Sequence, residues 1–259
     1  MDAVITAGGI PDPEDPLYEY TQGESKALLE IAGKPMVQWV LDAVCESEKI
    51  DQIVMVGLEP DCGVACDKPI TYIPNQGGML DNVRTSIDKV VELNPDSELV
   101  MLVSSDIPAL TTQMVDWVVD TVLETEDDFY YNLITREVME ERFPGANRSF
   151  VKLKDVQVCG GDLNVARVAA AHGNDDLWNR LISARKNVFK QAALFGFSTL
   201  ILMLTRRISL EDAVPRVEKQ LGIRGRAILC PYAELAMDVD KPHQLEILRS
   251  DLEKMAASS

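Results

Sequence analysis

The sequence predicts an α/β fold: a mostly parallel sheet with helices on both faces. Two observations point there. Through the first half of the chain, apolar runs of strand length alternate with segments whose apolar residues recur at three- and four-residue spacing. Those runs stop at glycine, proline or a serine-aspartate pair, residues that end a strand and turn the chain.

Taken in order, Asp2 to Thr6 reads as a short buried strand closed by Ala7-Gly8-Gly9. Ser25-Lys26-Ala27-Leu28-Leu29 and Gly33-Lys34-Pro35-Met36 follow, with Pro35 pre-set for the first turn of an amphipathic helix from Lys34 to Glu48. Ile53 to Val56 is a buried strand ending at Gly57, and Ile70 to Ile73 is a second, stopped by Pro74. Leu80 to Leu93 is helical. Leu99 to Val103 is a strand running into Ser104-Ser105-Asp106, and Pro108 and Thr111-Thr112 introduce a helix through about Glu124. From Phe129 the rhythm changes. Phe129 to Thr135 and Phe150 to Val158 read as strands, and Asp162 to Gly222 as mainly helical, with breaks near Gly173, Gly196 and Arg207. Ala227 to Leu229 resumes a strand and Lys241 to Met255 closes the chain as a helix. No repeat or low-complexity linker divides the 259 residues, so a single domain over 1–259 is expected.

Composition excludes some functions. A formal net charge of −17 repels nucleic acid and anionic lipid, so a phosphate site must be local and a nucleic-acid partner is not expected. Met1 leads straight into a strand with no basic leader, which suits a cytoplasmic protein. The five cysteines (Cys45, Cys62, Cys66, Cys159, Cys230) are odd in number and scattered, more like reduced thiols than a disulfide framework. Cys62 and Cys66 lack a second pair, and only His172 and His243 accompany them, which disfavours a metal there. The apolar run Ala192 to Leu204 is too short to span a bilayer before Arg206-Arg207. It reads as a buried or interface helix. Bracketed by Lys186, Lys190, Arg206 and Arg207, it is also a candidate acceptor wall or homodimer contact.

The opening segment builds a polyphosphate site. Gly8 and Gly9 let backbone N–H groups approach a charged ligand, and Lys26 returns a positive charge to the same place. Neither G-x-x-x-x-G-K-[ST] nor G-x-G-x-x-G occurs. The run Ala7-Gly8-Gly9, then Lys26-Ala27-Leu28, then Gly33-Lys34-Pro35-Met36 instead resembles the MobA-like and sugar-phosphate nucleotidyltransferases. That resemblance implies a nucleotide-diphospho-sugar transferase fold, a three-layer α/β/α sandwich with a mixed, mainly parallel sheet. It implies a nucleotide-binding half over 1–128, an acceptor-binding half over 129–235, and a metal motif with closing helix over 236–259. It also implies attack of an acceptor phosphate on the α-phosphorus of an NTP, with Mg2+ as cofactor and pyrophosphate released.

Site residues follow from matching segments. Asp106 stands after a buried strand, where open α/β sheets collect ligand groups, and Asp106-Ile107-Pro108 resembles the family's D-x-P element, whose aspartate binds magnesium. The simpler alternative is a turn cap. Met237-Asp238-Val239-Asp240-Lys241-Pro242 resembles the family's terminal motif; Asp240 aligns best with the second metal ligand, Asp238 is the runner-up, and N-capping of the last helix is the bland alternative. Alternation in an extended segment puts the two on one side. Ala7, Gly8, Gly9, Lys26, Gln76, Gly77, Gly78 and Asn82 are the expected nucleotide contacts, with Ser86 on the Asn82 helical face and a plain tight turn as the alternative at the glycine pair. Cys159-Gly160-Gly161-Asp162 reads as a strand end opening a helix. The helix N-terminus would offer N–H groups from Gly160, Gly161 and Asp162 to an anion, which the resemblance makes the acceptor phosphate, amid Arg148, Lys152, Lys154 and Arg167; a solvated strand edge with a capped helix is the equal alternative.

One departure stands out. Where many members carry a Gly-x-Thr/Ser-Arg-Met run, Ile10 to Tyr20 is proline-stiffened, acidic and without arginine. Lys26 with magnesium suffices, an arginine arrives from elsewhere, or activity has been lost. Two other functions stay open: an NDP-sugar glycosyltransferase, against which the missing first aspartate of a central D-x-D counts, and a silent nucleotide-binding protein.

Overall fold

The computed structural model describes residues 1–185 and 196–256. Among these, nine strands form one sheet. Its parallel half places β1 (Asp2–Thr6) centrally, between β4 (Ile53–Val56) and β6 (Leu99–Ser104), with β5 (Ile70–Ile73) at the edge beyond β4. A separate ribbon pairs β2 (Glu30–Ile31) with β3 (Lys34–Pro35).

The other half is mixed. β7 (Phe129–Thr135) pairs antiparallel with β9 (Gln157–Gly160) and β10 (Leu163–Arg167), and parallel with β11 (Gly225–Leu229). β10 also pairs antiparallel with β6, joining the halves, and β8 (Val151–Lys152) extends β9.

Alternation along the strands makes the layers. Ala3, Ile5, Ile53, Met55, Met101 and Val103 face one core with the helices Met36–Glu46, Thr112–Val122 and Pro242–Ala256. Val4, Val54, Val56 and Val100 face the other, with the helix Met79–Leu93 and Trp178 of the helix Asp175–Arg185. The three-layer α/β/α sandwich is what the apolar spacing and the resemblance predict.

Several local expectations are corrected. Ile70–Ile73 is an edge strand with only Ile73 buried. Lys34 and Pro35 belong to the ribbon, so the helix starts at Met36. Phe150 to Val158 is two short strands separated by a turn. Residues 163–167 are not helical: they form β10, held between β6 and β7 by pairing too distant in sequence for local spacing to show. The cysteines are not all free thiols, because Cys45 and Cys66 form a disulfide joining a helix to the β4–β5 loop.

Of the apolar run, residues 192–195 lie outside the described residues, as do Lys186 and Lys190. The rest forms the helix Phe197–Leu204, which is not a buried one. Leu202 and Met203 pack on Leu153, Ile208 and Ala213, whereas Phe197, Ile201 and Leu204 are exposed. No helix among the described residues is long and apolar enough to cross a membrane.

Candidate active site

Parallel pairing of β1 with β6 sets Thr6 beside Ser104, so both strands deliver their following residues to one rim of the sheet. A cleft of about 300 Å3 opens there, lined by Thr6, Gly8, Gly9, Lys26, Ala27, Asn75, Gly77, Gly78, Met79, Asn82, Ser104, Ser105 and Asp106.

Packing fixes its floor. Gly57 has φ +101°, and a Cβ there would lie 2.3 Å from the Gly8 Cα; no other residue fits. Gly8 is covered on its other side by Asn75, whose Nδ2 donates to the Gly8 carbonyl at 2.8 Å. Gly9 needs no such allowance, because a Cβ there meets open space. Its carbonyl accepts from the Lys26 N–H at 2.9 Å, pinning the short helical turn Lys26–Leu28 beside the cleft. Asn75 Oδ1 accepts from the Gly77 N–H at 2.9 Å and from Asn82 Nδ2 at 3.3 Å, while Asn82 Oδ1 accepts from the Gln76 N–H at 2.6 Å. The amide pair is therefore engaged in shaping this loop.

Two expected nucleotide residues stand apart. Ala7 is buried, its N–H donated to the Val56 carbonyl at 2.8 Å, and it does not line the cleft. Gln76 turns its Nε2 onto the Pro74 carbonyl at 2.6 Å and also lies off the cleft wall. Ser86 donates within its helix to the Asn82 carbonyl. Thr6, Asn75 and Ser104 are cleft residues that sequence reasoning did not single out. Asn75 alone left a sign, following the Pro74 strand stop and preceding Gly77-Gly78.

The charges converge beside this cleft. Lys26 Nζ lies 2.6 Å from Asp106 Oδ2 and 3.0 Å from Asp240 Oδ1. Burial alone would lower the lysine pKa, but Asp106 and Asp240 more than offset it and raise it. Burial pushes Asp240 up, yet the ammonium outweighs it and holds that carboxyl below the usual range. Asp240 is not spent on capping the last helix; its carboxylate faces Lys26, and its N–H donates to Gln244 Oε1 at 3.0 Å.

Behind this pair, Arg148 bonds to Asp238 through Nη1 and holds Nη2 3.9 Å from Asp162 Oδ2. Burial, then the negative charges of Asp238 and Asp106, push Asp162 up to about 8. Burial also raises Asp238 to about 6 against the pull of Arg148. Four carboxyl groups thus gather around two cations. Asp106 Oδ1, Asp162 Oδ2 and Arg148 Nε are buried without a hydrogen-bond partner, an arrangement that polar interiors rarely tolerate without a ligand, ion or water.

These residues fit a hard divalent cation. No group of three or more His, Cys, Asp or Glu among the described residues forms a ready-made metal site. Mg2+, however, is commonly held by one or two carboxylates together with substrate phosphates. Asp106, with its orphan oxygen, and the half-exposed Asp240 supply such a pair.

The acceptor loop is corrected. Gly160 ends β9 and Asp162 directly precedes β10, so no helix begins here. The Gly161 N–H donates to the Asn132 carbonyl at 2.8 Å and the Asp162 N–H to the Leu235 carbonyl at 2.6 Å. Neither is available to an anion; Gly160 lies under the Tyr131 hydroxyl, and Asp162 contributes its carboxylate instead. Among the described residues no arginine lines the cleft, and Arg148 bonds to Asp238 instead.

Comparison with known proteins fits this geometry. The profile of the MobA-like NTP transferase domain matches residues 19–186, more than half of the chain. A hypothetical transferase from Thermus thermophilus is 30% identical, with a TM-score of 0.81 over 94% of this chain and 98% of that one. A CMP:2-keto-3-deoxy-manno-octonic acid synthetase complexed with CTP is 14% identical and shares the fold, with a TM-score of 0.60 over 98% of both chains. So does the 4-diphosphocytidyl-2C-methyl-D-erythritol synthase from Anaerococcus prevotii DSM 20548, 12% identical, with a TM-score of 0.59 over 97% of this chain and 95% of that one. A search among curated proteins found no match. With a lysine set against two aspartates beside the cleft, and the profile running through both halves of the sheet, the chain belongs to the MobA-like NTP transferase family.

Proposed function

We propose that this chain transfers the NMP group of an NTP to a phosphorylated small-molecule acceptor. An acceptor phosphate oxygen bonds to the α-phosphorus, the bond from that phosphorus to the bridging oxygen breaks, and pyrophosphate leaves. The observation that carries this reading is the Lys26 ammonium held at 2.6 Å from Asp106 on the wall of a glycine-floored cleft. Family membership supports it, and so does a fold shared with two synthetases whose names describe cytidylyl chemistry.

The residues divide the work. Gly8 and Gly9 keep their N–H groups free of hydrogen bonds among the described residues and border the triphosphate's place. Lys26 reaches bound triphosphate and takes up charge developing on the pyrophosphate. Asp106 and Asp240 would hold Mg2+, which neutralises phosphate charge when bound. Gly77, Gly78 and Asn82 shape the wall for base and ribose. Catalysis is then mainly positioning and charge compensation, with no covalent enzyme intermediate. Incubation with each NTP, Mg2+ and a panel of phosphorylated acceptors, assayed for pyrophosphate, tests the proposal. Release in no combination would remove it.

A further inference from the structure

One helix carries apolar side chains that the fold leaves in water. Phe197–Leu204 buries Thr199 and packs Leu202 and Met203 on Leu153, Ile208 and Ala213. Phe197, Ile201 and Leu204, spaced by four and then three residues, form one stripe on the opposite side. They are 56%, 59% and 75% exposed, and Leu204 is the most exposed large apolar side chain among the described residues. Positive charge gathers beside the stripe. The helix closes through Arg206, left-handed at φ +55°, and Arg207, whose N–H groups donate to the carbonyls of Met203 at 3.0 Å and Leu202 at 2.8 Å. Lys152 and Lys154 flank the buried Leu153, and the Lys154 N–H donates to the Ile208 carbonyl at 2.9 Å, which ties the two segments together. All four cations are exposed, and none forms an ion pair among the described residues. Residues 143–154 and 196–210 contain no Asp or Glu, in a chain with 42 of them against 25 Lys and Arg. At their junction Asp155 accepts from the Leu210 N–H at 3.1 Å.

We infer that this face docks on an anionic lipid surface, with the stripe below the headgroups and the four cations among them. The inference is independent of the proposed transfer reaction. A helix with one apolar side and basic neighbours lies in that interface because apolar burial and charge attraction act together there. The net charge of −17 repels such a surface as a whole, so contact is confined to the one face that departs from it. Charges elsewhere on the chain are screened beyond about 10 Å at ordinary ionic strength. Other occupants would use only part of this face. A nucleic acid would engage the cations and leave the stripe in water. A second copy seated by two-fold symmetry would set the same four cations against themselves.

The test is co-sedimentation of the full chain with vesicles of phosphatidylcholine alone, and with vesicles of phosphatidylcholine and phosphatidylserine at about 3:1. Wild type should bind the anionic vesicles at least tenfold more tightly than the neutral ones. Raising NaCl from about 0.05 M to about 0.5 M should weaken that binding severalfold. Arg206→Ala combined with Arg207→Ala should weaken it at least tenfold, since each cation near such a surface contributes about fivefold. Ile201→Asp should weaken it at least as much. No sedimentation, equal binding to both vesicles, or insensitivity to the arginine pair would overturn the inference. So would a wild-type dimer in sedimentation velocity that Ile201→Asp dissociates, because the stripe would then belong to a second copy. Both arginines are exposed, so their variant decides the matter even if a thermal scan shows Ile201→Asp to be unfolded.

Discussion

Lys26 and Asp240, separated by 214 residues, hold each other at 3.0 Å. The same ammonium sits 2.6 Å from Asp106, so it occupies ground between the two carboxylates assigned to the metal. A lysine there acts as a resident counter-cation, and a bound triphosphate offers it stronger partners. Lys26→Met should therefore tighten Mn2+ binding by nucleotide-free protein several-fold, read by electron paramagnetic resonance. Wild type binding as tightly as the variant would contradict this.

The same substitution should depress turnover. Loss of one charge-assisted contact to triphosphate and leaving group is expected to lower kcat/KM by about 2–4 kcal/mol in transition-state terms. Steady-state pyrophosphate release measures it, and an unchanged kcat/KM would take Lys26 out of the site.

Asp240 and Asp238 should respond differently, although only one residue separates them. Asp240→Ala removes a half-exposed carboxylate, so activity should fall at least a hundredfold with little change in Tm. Asp238→Ala strands a mostly buried guanidinium and should cost about 3 kcal/mol of stability. Thermal unfolding beside turnover separates the two, and a reversed pattern would mean that the terminal motif is assigned two residues out of place.

Asp162 makes stability depend on pH. Its folded pKa of about 8 lies above that of an unfolded aspartate, so the native chain retains a proton that the unfolded chain has lost. Stability of the metal-free protein should fall as pH rises from about 5 to about 8. Asp162→Asn should flatten that slope. Parallel Tm–pH curves for wild type and variant would show that the carboxyl is ionised in the fold.

Gly57→Ala should damage the cleft without touching any ligand. Left-handed backbone and a 2.3 Å overlap with Gly8 together should cost about 3 kcal/mol. Denaturant midpoints and nucleotide binding are expected to fall together; retention of both would mean that β1 and β4 give way easily.

The sequence revealed what local spacing can encode. The β1, β4 and β6 strands, their helices, and the turns at Gly8-Gly9 and Asp106 all carry strand or helix periodicity bounded by turn residues. Lys26, Asp106 and Asp240 came from matching motifs, and the fold brings the three together. β10 escaped because Leu163–Arg167 is short, precedes an alanine-rich turn and owes its strand to partners on β6 and β7. Mistaking it for a helix created the N–H anion site that Gly161 and Asp162 do not offer. Arg148 was visible as a basic residue near the acceptor loop, but its bond to Asp238 spans 90 residues and no pattern announces it. Asn75 and Thr6 are small polar residues whose work depends wholly on what stands opposite.

Chain order gives the carboxylate cluster a temporal dimension. Among the described residues, every one that lines the cleft lies between Thr6 and Asp106, and β1, β4, β5 and β6 are complete by Ser104. A chain still on the ribosome can therefore assemble that half of the sheet early, because domains tend to form as their segments emerge. Asp238 and Asp240 emerge well after Asp106, and β10 must already lie beside β6 for Asp162 to meet them. Until then Lys26 has Asp106 alone. The proposed metal pair is thus completed after the cleft that it serves, and a nascent chain released short of Asp240 would present a formed cleft with half of that proposed pair missing.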